Sequence, residues 1–520
     1  MPEEVVEQKF HWVENIVDRI LKEKKPPYTI TSGITPSGPV HLGTVSEFIF
    51  PSAVAKFLKS KVKKVRFIFH ADTLDAFDSI PLSLEKLADK LLGNLGKPLC
   101  NVIDPYGCHK SLADHYVAET VEVMIRLKTD PMPDILKVNE MYAKGLFDEY
   151  ALLFLKNYFK ARDIFFQTSL KEDKGEPWNP IMPICENCGK IATTEVTDFD
   201  ADGGWVHYKC VKNVGYTKGC NHEATMKIKD HKYKIAWRLH WPSWMDIANS
   251  SAEGAGVDHH SRGSSWDTCV VVFKELFFKK PPVGWMHGLI LYHGKKVAKS
   301  KGIGFDLEEL LNLVPPELLK YFLFRQDIWE NKDVDPTGQQ LINLFDDYKR
   351  IAELAEKGEE TELHRAERKK LVAYMLSGER KWKADFSEIL INYQLYKNWE
   401  ETGKALNDPN GVMYLSKYIE SWFKMGFAPE NLVFEFKPKK ILENKEAVIA
   451  FAKKLSEKMK AVDIHNLVYE VAKEKNLRSE KLFKTLYKLL IGKEIGPRFG
   501  KLVEAVGPGK VKEVILKLYR

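Results

Sequence analysis

Residues 31–44 read Thr-Ser-Gly-Ile-Thr-Pro-Ser-Gly-Pro-Val-His-Leu-Gly-Thr. Tyr28-Thr29-Ile30-Thr31 before it is a short β-type run. After it, Val45, Phe48, Ile49, Phe57 and Leu58 fall on one face of a helical pattern. The stretch is therefore a strand, a Gly/Pro/Ser turn and a helix, the βα entry of an open parallel sheet. Such sheets bind ligands at the carboxyl ends of their strands. A helix start offers unpaired backbone N–H groups and a positive dipole end to phosphate. Gly33, Gly38 and Gly43 let a bulky ligand approach the backbone, and His41 is placed to donate to a phosphate oxygen without adding a fixed cation.

A second stretch gives this turn its weight. His293–Gly304 reads HGKKVAKSKGIG directly after the strand-like GLILY of Gly288–Tyr292. A basic loop of this kind is in many proteins a solvated surface feature. Here Lys295, Lys296, Lys299 and Lys301 stand on a Gly-rich segment able to fold over a polyphosphate. Either motif alone is weak; in this order, each after a strand, they point to nucleotide chemistry.

The chain has 520 residues, too many for one hydrophobic core. An apolar fraction of 44% and 12 Trp mark it as folded and globular. No apolar run approaches the length of a membrane span. The amphipathic, acidic N-terminus lacks the pattern of a signal peptide, so a cytoplasmic protein is expected. Seventy-nine basic against 72 acidic residues, a net +7, is compatible with a nucleic-acid partner but does not demand one. Six of the seven Cys lie in two regions, which suits metal ligation in a reducing compartment better than disulfides.

Between the signature stretches, Lys64–Phe69 reads as the next parallel strand, ending in polar His70–Asp75, where Asp72 and Asp75 could face a cationic substrate or cap a turn. Cys100–His115 offers Asp104, Cys108, His109 and His115, a mixed thiolate, imidazole and carboxylate set suited to tetrahedral zinc, with Cys100 and Asp114 as rival ligands. Residues 112–170 read as helical, their aromatics as helix core. Cys185-x-x-Cys188 followed by Cys210 and Cys220 resembles a zinc ribbon with a stretched second knuckle, in which His207 or His222 could replace one thiolate. With four protein ligands such a site is structural. Lys234–Pro242 reads as strand-like, with Trp237, His240 and Trp241 as an aromatic wall. Gly256-Val257-Asp258-His259-His260 is a polar, Gly-rich segment before an apolar helix, and Asp258 is placed to take a ribose hydroxyl. From about Thr337 onward the pattern is helical, and the last 23 residues hold six basic and two acidic side chains.

Pro36–Thr44, PSGPVHLGT, resembles the first signature of class I aminoacyl-tRNA synthetases, and Lys296–Ser300, KVAKS, resembles their second. Thr44 replaces the usual second His of the first, and Val297-Ala298 replaces Met-Ser in the second. GVDHH is similar to the family's nucleoside-contacting motif, and Ile495–Gly500 resembles the end of the helical anticodon-binding domain of bacterial-type glutamyl enzymes. Within class I the nearest resemblance is to the archaeal-type lysyl family. It implies an α/β Rossmann-type parallel-sheet catalytic domain with a zinc-bearing insertion, then an all-α tRNA- and anticodon-binding region. The expected division is 1–95 with 232–305 as catalytic domain, 96–231 as inserted region with the metal sites, 306–365 as linker helices and 366–520 as anticodon-binding domain.

The resemblance implies activation of L-lysine by ATP and transfer to the 3′ end of tRNA(Lys), with Mg²⁺ as cofactor and one or two structural Zn²⁺. It gives His41, Lys296 and Lys299 the catalytic role. ATP falls to Pro36, Gly38, His41, Gly43, Thr44, Gly256, Asp258, His259, Lys296, Lys299 and Ser300. Gly33 and Thr35 would hold the α-amino and carboxylate groups. Asp72, Trp237, His240, His260 and Tyr292 would surround the side chain, since an ammonium group needs aromatic walls and a polar or acidic end. The alternatives are a class I synthetase for glutamate or cysteine, or a non-catalytic tRNA-binding paralogue.

Overall fold

The structure, a computed structural model, describes all residues except 1–9, 174, 176, 293–294, 297–306, 336 and 359–363, and for Tyr292, Lys295 and Lys296 it describes the backbone alone. The chain forms two compact units. One comprises Met1–Leu307, Lys320–Val334 and His364–Ser377, the other Glu308–Leu319, Asp335–Leu363 and Gly378–Arg520.

In the first unit, α1 (Trp12–Glu23) starts at His11, whose side chain accepts from the Val13 N–H while Glu14 returns the bond to the His11 N–H. Such a reciprocal cap satisfies two of the donors a helix start leaves orphaned. Next come β1 (Tyr28–Ile34), α2 (Leu42–Lys61) and β2 (Val65–Ala71), as the signature turn and the Lys64–Phe69 run predict. α2 is apolar on more than the expected face: Leu42, Phe50, Ala53 and Val54 are buried along with Val45, Phe48 and Ile49. It packs on β1, β2 and α1, so little of it meets water.

Within residues 112–170, helices Leu112–Arg126, Val138–Ala143, Asp148–Lys156 and Tyr158–Ser169 are interrupted by β3 (Asp134–Lys137), which joins the main sheet beside β2. The 96–231 stretch thus supplies the sheet's edge strand as well as separate substructure: β4 (Ile181–Pro183) and an antiparallel sheet of β5 (Thr194–Asp200), β6 (Trp205–Cys210) and β7 (Glu223–Lys227). β8 (Tyr233–Ile235) pairs with β4. The strand expected over Lys234–Pro242 ends there. Residues Trp237–Ile247 are an α-helix with Pro242 inside it, so Trp237, His240 and Trp241 project from a helix.

β9 (Ala252–Gly256) and β10 (Val283–His287) complete a parallel sheet of order β10-β9-β1-β2-β3. From β1 the chain runs one way to β2, while β9 pairs on β1's other edge, with Thr31 opposite Glu253. A switch of direction of this kind opens a crevice at the carboxyl ends of the two diverging strands. β11 (Ile290–Tyr292), the core of GLILY, pairs with β12 (Lys295–Lys296) and β13 (Lys332–Asp333).

In the second unit the described residues from Gly338 onward form helices and connections without a strand. A core of Val448, Phe451, Val468, Leu486, Phe499, Leu502 and Ile515 holds the last five helices together.

Candidate active site and metal centres

The crevice between β1 and β9 contains a cavity of about 450 Å³. Gly33, Ile34, Thr35, His41, Gly43 and Thr44 line one side, and Glu253, Gly254, Ala255 and His259 the other. Trp237, Trp241 and Trp244 from one helix close the back, and Asp72 and Asp75 follow β2. The first signature thus opens directly onto the cavity. His41 is the N-cap of α2, its Nδ1 accepting from the Thr44 N–H at 3.3 Å. That bond takes up the Thr44 N–H and keeps the proton of a neutral ring on Nε2. A Cβ on Gly43 would stand 2.8 Å from His41 Cε1, and one on Gly33 would stand 2.6 Å from the His70 carbonyl oxygen, so both close approaches need glycine.

The acidic end is organised by a residue that carried no motif in the sequence. Lys234, on β8, is buried and donates to Asp72 at 2.7 Å and also pairs with Asp75. Thr35 donates to the other Asp75 oxygen at 2.7 Å. Burial and the neighbouring Asp75 push the Asp72 carboxyl up, against the pull of Lys234, and the two carboxylates keep Lys234 charged.

Two comparisons bear on this arrangement. The family described as tRNA synthetases class I (K) matches residues 10–379. Lysine–tRNA ligases are similar over nearly the whole chain: that of Archaeoglobus fulgidus is 30% identical over 97% of this chain and 99% of its own length, and that of Methanocaldococcus jannaschii is 29% identical over 98% and 99%. That of Pyrococcus horikoshii is 29% identical over 95% and 97%. The chain belongs to the class I tRNA synthetases.

The remaining side chains expected at the synthetase site divide into two groups. Trp237 lines the cavity, stacks on Trp241 with ring centres 5.6 Å apart, and donates from Nε1 to Ser265 at 2.9 Å. His259 sits against both indoles, at 5.8 and 5.5 Å, and burial lowers its pKa. His240 and His260 stand outside the lining. His240 is fully buried behind Trp244, its Nδ1 at 3.0 Å from the Tyr142 hydroxyl, and burial holds it neutral. His260 stacks on Trp266 at 4.8 Å and is pushed down to about 4 by burial and His259. Pro36 and Gly38 lie in the loop before α2, and Gly256 and Asp258 at the carboxyl end of β9. Lys299 and Ser300 lie outside the described residues, as do the side chains of Lys296 and Tyr292.

Glu47, Trp244 and Glu253 also line the cavity. Glu253 is the most unusual of them. Only 1% exposed, it accepts from the Trp241 indole at 2.9 Å, and burial pushes it up to about 7. In sequence it is one carboxylate in the run Ser-Ala-Glu-Gly-Ala-Gly, and only the pairing of β9 with β1 brings it to the crevice.

Both expected ligand sets are gathered. Cys185, Cys188, Cys210 and Cys220 have their sulfurs within 4.8 Å of one another, with pairs at 3.6 and 3.7 Å. A tetrahedron with zinc–sulfur bonds of about 2.3 Å has edges of about 3.8 Å, so the spacing fits. His207 and His222 are committed elsewhere, to Thr225 and Glu223 and to Glu186. The second set, Asp104, Cys108, His109 and His115, is equally close, with Cys108 Sγ 3.1 and 3.2 Å from the two imidazoles. Backbone N–H groups of Tyr106, Cys108 and His109 converge on the Asp104 carboxylate and fix the loop. The rivals are accounted for: Asp114 pairs with Lys137, and Cys100 is a half-buried thiol that desolvation raises to about 12.

Proposed function

We propose that this chain is a lysine–tRNA ligase of class I that forms lysyl-adenylate from L-lysine and ATP and passes the lysyl group to the 3′ end of tRNA(Lys). The single observation that carries the reading is a helix start capped by His41 that opens onto a tryptophan-walled cavity lined, among the described residues, by carboxylates and by no arginine. A glutamate side chain there would meet Asp72, Asp75 and Glu253 and find no guanidinium, so the lysine reading is favoured over the glutamate one.

The lysine carboxylate attacks the α-phosphorus of ATP and pyrophosphate leaves. A terminal ribose hydroxyl then attacks the adenylate carbonyl and releases AMP. Such chemistry is accelerated by positioning and charge stabilisation more than by covalent participation. His41 donates to the phosphate from the helix start, and Lys296 and Lys299 neutralise the leaving pyrophosphate, a role assigned by resemblance to the second signature. When bound with ATP, Mg²⁺ would supply further charge neutralisation on the phosphates. Gly33 and Thr35 position the α-amino and carboxylate groups. Gly256, Asp258 and His259 hold the nucleoside.

The two side-chain clusters would each hold a structural Zn²⁺, leaving no coordination site for substrate. The division into 1–95 with 232–305, 96–231, 306–365 and 366–520, and a cytoplasmic location where tRNA and ATP meet, belong to the same proposal. The test is charging of unfractionated tRNA with each of the twenty amino acids in turn, with ATP and Mg²⁺. Lysine alone is expected. His41→Ala is expected to lower kcat by about 100-fold, in the range of removing one transition-state donor, with the melting point lowered only by the few degrees that loss of a helix N-cap, about 1 kcal/mol, produces. Charging of glutamate or cysteine instead, or full activity of His41→Ala, overturns the reading.

A further inference from the structure

The two ends of the cavity differ in how their carboxylates are neutralised. At one end, Asp72 and Asp75 share Lys234, which leaves one net negative charge beside Gly33 and Thr35. That is the charge an α-ammonium group needs. Lysine carries a second ammonium at the far end of its side chain, and Asp72 cannot serve both.

Glu253 is the remaining buried carboxylate on the cavity wall. Its Oε1 accepts from Trp241, and its Oε2 is buried without a hydrogen-bond partner. The groups facing it are the Thr31 hydroxyl from β1, Glu47 from α2, the Trp241 and Trp244 indoles, and the Cys269 thiol of the helix Ser265–Glu275. None is a cation. A buried acid is costly to ionise without a partner, and the cavity it lines also carries three indoles, surfaces that attract cations through their faces.

We propose that Glu253 is the counter-ion of the substrate's side-chain ammonium, and that Asp72, committed to Lys234, serves the α-ammonium end. The inference rests on the lysine reading and names the group that gives it specificity. Before lysine binds, Glu253 holds a proton over much of the neutral range, in keeping with a carboxyl pushed up to about 7. Binding of the ammonium favours the ionised form, so the site releases a proton as it fills.

The experiment measures KM for lysine and kcat in tRNA charging with the full chain, for wild type, Glu253→Gln and Glu253→Asp. Gln is nearly isosteric and still accepts from Trp241. A rise in KM of about 100-fold with kcat within about threefold is expected for Gln, and partial recovery for Asp, as for loss of one partner of a desolvated charge pair. A residue that merely held Trp241 in place would leave KM unchanged in the Gln variant. On the wild type alone, calorimetry at pH 6.5 in buffers of different ionisation enthalpy is expected to show proton release on lysine binding. An unchanged KM in Glu253→Gln, or no proton release by the wild type, overturns this inference while leaving the lysine assignment intact. A wild type that charges no lysine overturns both.

Discussion

The two acidic regions of the cavity are built alike and finished differently. Asp72 and Glu253 each follow or lie in a central strand, and each is 1% exposed. Each keeps one carboxylate oxygen without a hydrogen-bond partner, but Asp72 has a cation of its own in Lys234, whereas Glu253 has only an indole N–H. A carboxylate paired with a cation of the chain is held in place by it, and the Asp72–Asp75 pair offers the substrate only the one charge that Lys234 leaves over. A carboxylate left without a cation in a buried wall is an unfilled position for a charge from outside. The Cys185–Cys220 cluster extends the contrast, since it gathers four sulfurs within 4.8 Å of one another. A divalent metal completes such a group, and a small substructure of this kind commonly depends on its metal for folding.

The largest effect is therefore expected at the cysteines. Cys188→Ser removes one of four ligands, and the β5–β7 region is expected to lose its metal and melt as a separate early transition. Metal analysis of the purified variant is expected to find one zinc per chain fewer than wild type, and calorimetry to resolve the early transition. Equal metal content in the two proteins would show that the cluster holds none.

The next effect is at the end that carries its own cation. Lys234→Met leaves two carboxylates without their cation, one of them fully buried. Breaking a buried pair by removing one partner costs about 3–5 kcal/mol. The unfolding midpoint of this unit at pH 8 is expected to fall accordingly. Acid should relieve the loss, because protonated Asp72 needs no cation. If Lys234→Met is as stable as wild type, the distinction between a finished and an unfinished end disappears.

How much of this was legible beforehand followed the reach of the physics involved. The turn from Gly33 to Thr44 was readable because a helix cap and close backbone approaches are decided by residues within a few positions. Cys185-x-x-Cys188 was readable for the same reason. The helix Trp237–Ile247 was not, because Trp-Arg-Leu-His-Trp alternates like a strand, and Pro242 argues against a helix interior. Its burial on several sides, with Leu239, Trp241, Trp244 and Met245 all in the core, decides the helix through tertiary packing. β3 was lost among helices because four residues carry too little pattern to register. Lys234 and Glu253 were invisible as a pair of opposites, since their partners lie 162 residues away in one case and across a helix in the other.

The smallest effect sharpens the contrast from the other side, because it predicts a gain. In the folded chain Glu253 is pushed up to about 7 by burial, from the 4.5 it has when exposed. Between those values the folded state binds more protons than the unfolded state, so stability falls as pH rises through that window. The difference of about 2.5 units at 1.36 kcal/mol each is a loss of about 3 kcal/mol, in place by pH 8. Glu253→Gln removes the ionisation and is expected to melt higher than wild type at pH 8, with the advantage gone at pH 4. Saturating lysine should reverse the order at pH 8, because only the wild type gains a partner for its charge. A carboxylate serving the scaffold would show the opposite, a variant less stable at pH 8 with or without lysine.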